Sequence, residues 1–237
     1  MLFIRSTLFN LCLILLTLVF SVLILVCRPF SFVAVWFWAK LWTRSILAAA
    51  RWICGIRLIV EGREHFPDEA CVVLAKHQSA YETIAMPYLV PPYVWVLKRE
   101  LFYIPIFGWA LWAVDAIAIR RTNAREALKQ VLEQGQEFLR KGRWVVMFPE
   151  GTRVAPGKTG DYQASGVMLA QRAKVGILPM AHNSGTAWPR RGFIKKPGTI
   201  RVRFLPLISA DEVVSTPRNI LMEKVKERIE TVCDELN

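Results

Sequence analysis

The chain opens with an unbroken apolar segment, Leu8 to Cys27, that carries no charged side chain. Twenty residues of α-helix rise about 30 Å, roughly the thickness of a bilayer's hydrocarbon core. A second apolar segment, Phe30 to Cys54, is rich in tryptophan and contains three cations, Lys40, Arg44 and Arg51. These cations fall within about 40° of one another on a helical wheel. The pattern predicts a membrane-embedded helix followed by an interfacial helix.

A cleaved signal peptide is the alternative interpretation of this N-terminus. The apolar run is long for a signal peptide, and Arg5 is its single preceding basic residue. We therefore expect residues 1–55 to form retained membrane-anchoring helices. Basic residues after the run outnumber Arg5, so the positive-inside rule places the rest of the chain in the cytoplasm. Full spanning and insertion into a single leaflet both remain open.

From residue 56 to residue 237, short β-rich runs alternate with helical stretches. The predicted strands are Arg57–Glu61, Cys71–Ala75, Tyr93–Leu97, Ala116–Ile119, Trp144–Phe148, Gly176–Ala181 and Thr199–Phe204. The predicted helices are Ser79–Leu89, Ala124–Lys141, Tyr162–Ala173 and Pro217–Leu236. This alternation predicts one α/β domain with a mixed central sheet flanked by helices, attached to the N-terminal membrane-embedded helical pair.

The net charge of +12 is concentrated in the middle of the chain. Residues 98–203 hold 19 basic and 7 acidic side chains, which accounts for the whole surplus. Phosphorylated substrates and anionic lipid headgroups are therefore expected partners, whereas nucleic acid is disfavoured because no recognised nucleic-acid motif is present. The five cysteines are scattered and include no Cys-x-x-Cys pair, so neither a disulfide framework nor a zinc site is expected.

His77 follows the predicted strand Cys71–Ala75, and Glu82 lies five residues further along. An imidazole with a nearby carboxylate can act as a general base on a hydroxyl group. Ser79 and Glu82 also have the spacing of a capping box, in which the carboxylate accepts a hydrogen bond from the backbone N–H of Ser79. On these residues alone the cap is favoured, although a carboxylate has two oxygens and can serve both roles.

The segment Phe148 to Arg153 follows another predicted strand and forms the second candidate site. A glycine-containing turn that ends in Thr152 and Arg153 can bind phosphate through backbone N–H groups, a hydroxyl and a guanidinium. Further cations follow two other strands, namely Lys98, Arg120 and Arg121. Ligand sites in open sheets gather beyond the carboxyl ends of strands, so these cations favour an anion site. The pairs Arg190–Arg191 and Lys195–Lys196 are instead expected to contact lipid headgroups or water.

Four ordered blocks between about residues 56 and 210 resemble the glycerophospholipid acyltransferases, and among them the bacterial 1-acyl-glycerol-3-phosphate acyltransferases. The blocks are His77 to Glu82; Lys98 to Leu101 with Pro105, Gly108 and Arg121; Phe148 to Arg153; and Ile177 to Met180. Three positions depart from the family pattern: Glu82 replaces an aspartate, Arg120 stands where an acidic residue is common, and Gln163 stands where a lysine is frequent.

The resemblance implies transfer of a fatty acyl group from acyl-CoA or acyl-carrier protein to the sn-2 hydroxyl of 1-acyl-glycerol-3-phosphate, giving phosphatidic acid. In this interpretation His77 deprotonates the hydroxyl and Glu82 orients the imidazole. The residues expected at the substrate phosphate are Lys98, Arg121, Glu150, Gly151, Thr152 and Arg153. No metal or other cofactor is implied. The expected partners are a membrane lipid acceptor and the acyl donor, and residues 56–237 would form the acyltransferase domain.

Three alternatives remain open at this point. The chain could acylate another lysolipid, such as a lyso-ornithine lipid or a lysophospholipid. It could be a metal-dependent hydrolase that uses His77 and Glu82, which would make it sensitive to chelators. It could also be a non-catalytic protein whose basic face binds anionic lipid, in which case His77 would be dispensable.

Overall fold

A computed structural model of the chain describes residues 1–120 and 122–236. Its strands are β1 (Ile56–Glu61), β2 (Val72–Ala75), β3 (Tyr93–Lys98), β4 (Ile117–Ile119), β5 (Trp144–Met147), β6 (Ile177–His182) and β7 (Gly198–Phe204). They form one sheet in the order β1-β7-β6-β2-β5-β3-β4. β6 and β7 pair antiparallel, and every other neighbouring pair is parallel. Every predicted strand is present, and its ends agree with the prediction to within one residue.

The helices are α1 (Leu2–Cys27), α2 (Phe32–Cys54), α3 (Tyr81–Leu89), α4 (Phe107–Ala113), α5 (Ala124–Arg140), α6 (Ser165–Ala173), α7 (Ser184–Ala187), α8 (Ala210–Ser215) and α9 (Arg218–Leu236). Short 3₁₀ turns cover Arg63–His65 and Arg99–Tyr103. The prediction placed the start of α3 two residues early and the start of α6 three residues early. It also omitted α4, α7 and α8, because helices of four to seven residues contain too few turns for a periodic pattern to be visible.

Helices cover both faces of the sheet, as expected for an α/β fold. Successive strand residues point to opposite faces, so Val73 and Val146 belong to one hydrophobic cluster and Val72 and Val145 belong to the other. The first cluster is completed by α2 and α3, and the second by α5, α6 and α9. The predicted mixed sheet flanked by helices is therefore confirmed.

The two N-terminal helices have different relations to the domain. Within the described residues, α1 is the one helix long and apolar enough to cross a membrane, with a mean hydropathy of 2.8. One face of α2, which includes Val35, Ile46 and Ala50, is fully buried in the core of the domain. The cations Arg44 and Arg51 remain exposed on the other face of this helix. The description of α2 as an interfacial helix is therefore incomplete, because it also forms part of the hydrophobic core.

Polar contacts fasten α1 to the domain at both of its ends. At the C-terminal end, Arg28 Nη2 lies 2.6 Å from Asp115 Oδ1, and Arg143 binds the other oxygen of the same carboxylate at 2.5 Å. Near the N-terminal end, the backbone N–H of Lys195 donates to Ser6 Oγ at 2.9 Å, and its ammonium donates to Asn10 Oδ1 at 2.8 Å. Burial lowers the pKa of Lys195. The expectation that Lys195 contacts headgroups or water is therefore wrong.

Candidate active site

The sheet topology brings the sequence blocks together at one edge. β6, β2, β5, β3 and β4 run in the same direction, so their carboxyl ends meet there. β2 and β5 are hydrogen-bonded neighbours with Leu74 opposite Met147. This pairing places His77, which follows β2, beside the turn Phe148–Arg153, which follows β5. Lys98 ends β3, the neighbour of β5 on its other side.

His77 is held by contacts at Nδ1, on one face of the ring and along its backbone. Its Nδ1 lies 2.9 Å from Glu82 Oε1. An ionised carboxylate can only accept a hydrogen bond, so Nδ1 carries the proton and Nε2 is left as the basic nitrogen. The ring stacks on Phe148 with centroids 4.1 Å apart. The backbone is fixed as well, because the N–H of His77 donates to Glu150 Oε2 at 3.0 Å and its carbonyl accepts from the N–H of Val154 at 2.7 Å.

Glu82 is fully buried behind the imidazole and serves both the helix cap and His77. Its Oε1 also accepts from the backbone N–H groups of Gln78 at 2.9 Å and Ser79 at 2.8 Å, the second being the predicted capping contact. Its Oε2 accepts from Ser184 Oγ at 2.6 Å. Burial alone would raise the pKa of Glu82, but the neighbouring His182 and the hydrogen bonds from His77 and Ser184 lower it to about 2. The carboxylate is therefore ionised at neutral pH.

His182 and Ser184 form a support behind Glu82. His182 Nε2 lies 2.8 Å from the carbonyl oxygen of Lys76, so it donates the proton, and Nδ1 accepts from the N–H of Ser184 at 3.3 Å. Burial lowers the pKa of His182, which favours this neutral tautomer. Both ring nitrogens are thus engaged in holding β2 and α7, and His182 has a structural role.

The turn after β5 presents backbone, hydroxyl and guanidinium groups toward the cavity. Gly151 adopts φ +62°, a left-handed conformation that favours glycine. Thr152 Oγ1 accepts a hydrogen bond from Arg190 Nη2 at 2.9 Å. Arg190 also borders the cavity next to Arg153. The expectation that Arg190 contacts lipid headgroups or water alone is therefore wrong, because it extends the cationic side of this site.

Glu150 occupies a different place from the other residues of its block. Its Oε1 accepts from Lys76 Nζ at 2.8 Å and from the backbone N–H of Gly160 at 3.1 Å, while Oε2 holds the N–H of His77. A carboxylate would repel a phosphate, and these donors already occupy it. The predicted phosphate contact of Glu150 is therefore not supported by its geometry, which instead joins the first and third blocks.

A cavity of about 980 Å³ opens at this edge of the sheet. Its polar side is bordered by His77, Lys98, Glu150, Gly151, Thr152, Arg153 and Arg190. Its other walls are apolar and come from several elements, including Phe20 and Ile24 of α1, Trp42 of α2, Leu111 of α4 and Leu128 of α5. A polar mouth joined to an apolar interior suits an amphipathic ligand with an anionic head and an acyl chain.

The predicted site residues are thus largely brought together. Arg121 lies outside the described residues. Arg120 borders a separate groove of about 420 Å³ together with Arg99. Three residues that contact the site were missed, namely Lys76, Ser184 and Arg190. Ser184 could have been suspected from its position just after the fourth block, but nothing in the local sequence distinguishes Arg190 from Arg191.

The described part of the chain contains no group of three or more His, Cys, Asp or Glu side chains arranged to hold a metal ion. All five cysteines are free thiols. The hydrolase alternative required a metal at His77 and Glu82. The carboxylate of Glu82 is instead satisfied by His77, Ser184 and two backbone N–H groups.

Comparison with known proteins gives a consistent picture. Residues 57–183 match the model of the Acyltransferase family. The 1-acyl-sn-glycerol-3-phosphate acyltransferase of Pseudomonas aeruginosa is 46% identical over 170 residues, which cover 72% of this chain and 66% of that protein. The chain thus spans just under two thirds of the length of this relative. The 1-acyl-sn-glycerol-3-phosphate acyltransferase alpha of Mus musculus is 30% identical over 198 residues, covering 82% of this chain and 70% of that protein.

The fold also matches a solved structure over its whole length. The crystal structure of the 1-acyl-sn-glycerophosphate (LPA) acyltransferase PlsC from Thermotoga maritima superposes with a TM-score of 0.83, covering 100% of this chain and 98% of that one at 21% identity. That likeness establishes the fold, while the family model and the sequence relatives establish the family. The chain belongs to the acyltransferase family.

Proposed function

We propose that this protein is a 1-acyl-sn-glycerol-3-phosphate O-acyltransferase that makes phosphatidic acid for phospholipid biosynthesis. The observation that carries the proposal is a His77–Glu82 pair beside a cationic turn at the mouth of a large apolar cavity. The Pseudomonas aeruginosa and Mus musculus relatives bear this name, which supports the same acceptor. The acyl donor is acyl-CoA or acyl-carrier protein.

In the proposed reaction His77 is the general base. Nε2 takes the proton of the sn-2 hydroxyl, and the oxygen attacks the carbonyl carbon of the donor thioester. The resulting tetrahedral intermediate expels the thiolate, which recovers the proton from the imidazolium. Glu82 keeps the proton on Nδ1 before the reaction and stabilises the charged ring during it. The chemistry needs no redox change, so no cofactor is part of the proposal.

The proposed acceptor site lies on the cationic side of the cavity. Lys98 and Arg153 border it, and Thr152 and Gly151 add a hydroxyl and backbone groups. Arg190 joins them through its contact with Thr152, and Arg121 remains a predicted phosphate ligand. Arginine forms two parallel hydrogen bonds to a phosphate, which fixes the orientation of the headgroup as well as its position. The apolar walls then receive an acyl chain.

The same proposal assigns residues 1–55 as the membrane anchor and residues 56–237 as the acyltransferase domain, facing the cytoplasm at the inner membrane. The outer face of α1 is exposed and apolar, with Leu11, Leu15 and Leu18 among its residues. Next to α1, helix α4 exposes Trp109 and Trp112, side chains that favour the membrane interface. Two reporters fused to the C-terminus test this orientation, one that is active only in the cytoplasm and one that is active only in the periplasm. Activity of the first and inactivity of the second would support the orientation, and the opposite pattern would contradict it.

Acyl transfer by the purified protein in detergent tests the proposed activity. Labelled acyl-CoA and acyl-carrier protein would be offered with 1-acyl-glycerol-3-phosphate, a lysophospholipid or a lyso-ornithine lipid. We expect labelled phosphatidic acid, resistance to chelators, and a loss of 10²- to 10⁴-fold in His77→Ala. His65→Ala is the matched control, because His65 lies in a 3₁₀ turn outside the cavity. Transfer to a different lysolipid alone, or full activity of His77→Ala, would contradict the proposal.

A further inference from the structure

A buried charge cluster connects the C-terminal helix to the backbone of His77. Lys76 is 1% exposed, and its ammonium contacts Glu150 Oε1 at 2.8 Å and Glu230 Oε1 and Oε2 at 2.8 and 2.9 Å. Glu230 lies on α9, far outside the matched region 57–183. Glu150 in turn holds the N–H of His77 at 3.0 Å. The path from α9 to the proposed base therefore consists of two ion pairs and one hydrogen bond.

Glu230 is itself held in place by neighbouring hydroxyl groups. Tyr162 donates to Glu230 Oε1 at 2.7 Å, and Thr159 Oγ1 donates to Oε2 at 3.2 Å. Burial and the adjacent Glu230 raise the pKa of Tyr162, so its phenol stays protonated and remains a donor. Burial opposes the charge on Lys76, but the two carboxylates outweigh it and raise the pKa of Lys76. The cluster therefore keeps its charges and hydrogen bonds at neutral pH.

Lys76 is paired with two carboxylates instead of one. Taking a lysine out of water costs several kcal/mol unless good geometry and added hydrogen bonds compensate. One carboxylate, that of Glu150, would neutralise Lys76. The second carboxylate, from α9, instead fixes where the ammonium lies and thereby where Glu150 lies. Glu150 accepts from the His77 N–H, and Lys76 directly precedes His77, so a displacement of Lys76 would disturb the backbone that carries the imidazole.

We infer that Lys76, Tyr162 and Glu230 are positioning residues for His77, so that the C-terminal helix sets the geometry of the catalytic pair. This inference rests on the proposed role of His77 as general base. None of the three side chains borders the cavity described above, so they act through Glu150 and not on the substrate. Small displacements matter in such a site, since a misplacement of about 1 Å can cost on the order of 10²-fold in rate.

The test uses mild variants of the whole chain, because loss of Lys76 would leave the carboxylates of Glu150 and Glu230 without their counter-charge and endanger folding. Glu230→Gln and Tyr162→Phe keep the shape of each side chain. We expect kcat to fall roughly tenfold in Glu230→Gln and about threefold in Tyr162→Phe, with KM for both substrates changed less than twofold, since the substrate contacts are intact. Glu227→Gln, an exposed position on the same helix, should match wild type.

Two controls separate positioning from simple loss of stability. Val225→Ala on α9 removes buried volume away from the cluster and should lower Tm with kcat unchanged. Reaction of each histidine with diethyl pyrocarbonate, mapped by mass spectrometry, reports the state of His77 without an activity assay. We expect modification of His77 to accelerate several-fold relative to His65 in Glu230→Gln, because its ring is only 15% exposed and becomes less firmly held.

The outcomes distinguish this inference from the proposed function. If wild type acylates none of the lysolipids, the proposed function fails, yet a changed reactivity of His77 still supports the link from α9. If the wild type is active but Glu230→Gln keeps its kcat, positioning is refuted. It is also refuted if kcat falls no further in Glu230→Gln than in a Val225→Ala variant with an equal decrease in Tm. Unchanged reactivity of His77 relative to His65 in Glu230→Gln would overturn it as well.

Discussion

Replacing Glu82 by glutamine separates its two roles. In the structure Oε1 receives hydrogen bonds from His77 and two backbone N–H groups, and Oε2 receives one from Ser184. The amide oxygen of glutamine can keep the first set. Its NH₂ group would then face Ser184 Oγ, and a hydroxyl can accept as well as donate. We therefore expect Glu82→Gln to fold with a Tm close to that of wild type.

The loss in activity should be large because the variant removes a charge at the moment when the imidazolium forms. Opposite charges about 4 Å apart attract by about 4 kcal/mol at an effective dielectric constant of ~20. At about 1.36 kcal/mol for each tenfold change in rate, the upper limit is roughly 10³-fold. The retained hydrogen bond offsets part of this, so we expect kcat to fall by about 10²- to 10³-fold.

Acyl transfer and thermal unfolding of the detergent-purified variants check this expectation together. Glu69→Gln is the matched control, because Glu69 is exposed and lies before β2, away from the site. Near-full activity of Glu82→Gln would refute the dyad and leave the residue as a helix cap. An equal loss of activity accompanied by a collapse of Tm would instead mean that the buried charge is required for folding.

The depressed pKa of Glu82 adds a stability test with a definite sign. Its carboxyl titrates at about 2 in the folded protein, below its ordinary value of 4.5. The contribution to stability is thus present above pH 4.5 and is lost as the pH falls toward 2. Integrated over that range, the difference amounts to about 3 kcal/mol. Denaturant unfolding should show a shallower acid decline in Glu82→Gln, and parallel declines would contradict the assignment.

Three further predictions address the acceptor site and the membrane anchor. Arg153→Lys should raise the acceptor KM about tenfold through loss of the guanidinium fork, with donor KM unchanged; a rise in donor KM alone would move Arg153 to the donor side. Arg190→Ala should raise the acceptor KM several-fold and Arg191→Ala should not, and equal kinetics of the two would exclude Arg190 from the phosphate site. The protein should stay with membranes after carbonate washing because α1 inserts deeply, and recovery in the soluble fraction would contradict a retained anchor.

The central strands were predictable because helices bury both of their faces. β2, β5 and β6 are wholly buried, so each contains a continuous apolar run, which in β6 ends before His182. The dual role of α2 was harder to recognise. Its exposed cations and tryptophans suggested a helix at the membrane surface, whereas apolar residues that face lipid and apolar residues that face a core are chemically alike. Only the packed sheet distinguishes the two environments.

Some residues of the candidate site were predictable from the local sequence, and others depend on the packed fold. His77, Glu82 and the turn 148–153 were predictable because each combines reactive side chains with the end of a strand. The sheet order supplies the rest, since the parallel pairing of β2 with β5 brings two segments together that are distant in sequence. Arg190 escaped prediction because its place depends on a loop after α7, and a cation in a loop is ordinarily solvated.

Lys76 shows why the supporting residues cannot be inferred from local sequence. Lys76 stands next to His77 in the sequence, yet the partners of its ammonium are Glu150, 74 residues away, and Glu230, 154 residues away. Glu150 belongs to the segment that the sequence predicts to bind phosphate, but its carboxylate faces Lys76 and the His77 backbone. Residues of one block can therefore face different surroundings: Arg153 borders the cavity, and Glu150 contacts Lys76 and the backbone of His77. Variants of Glu150 and Glu230 should accordingly change kcat, whereas variants of Arg153 should change the acceptor KM.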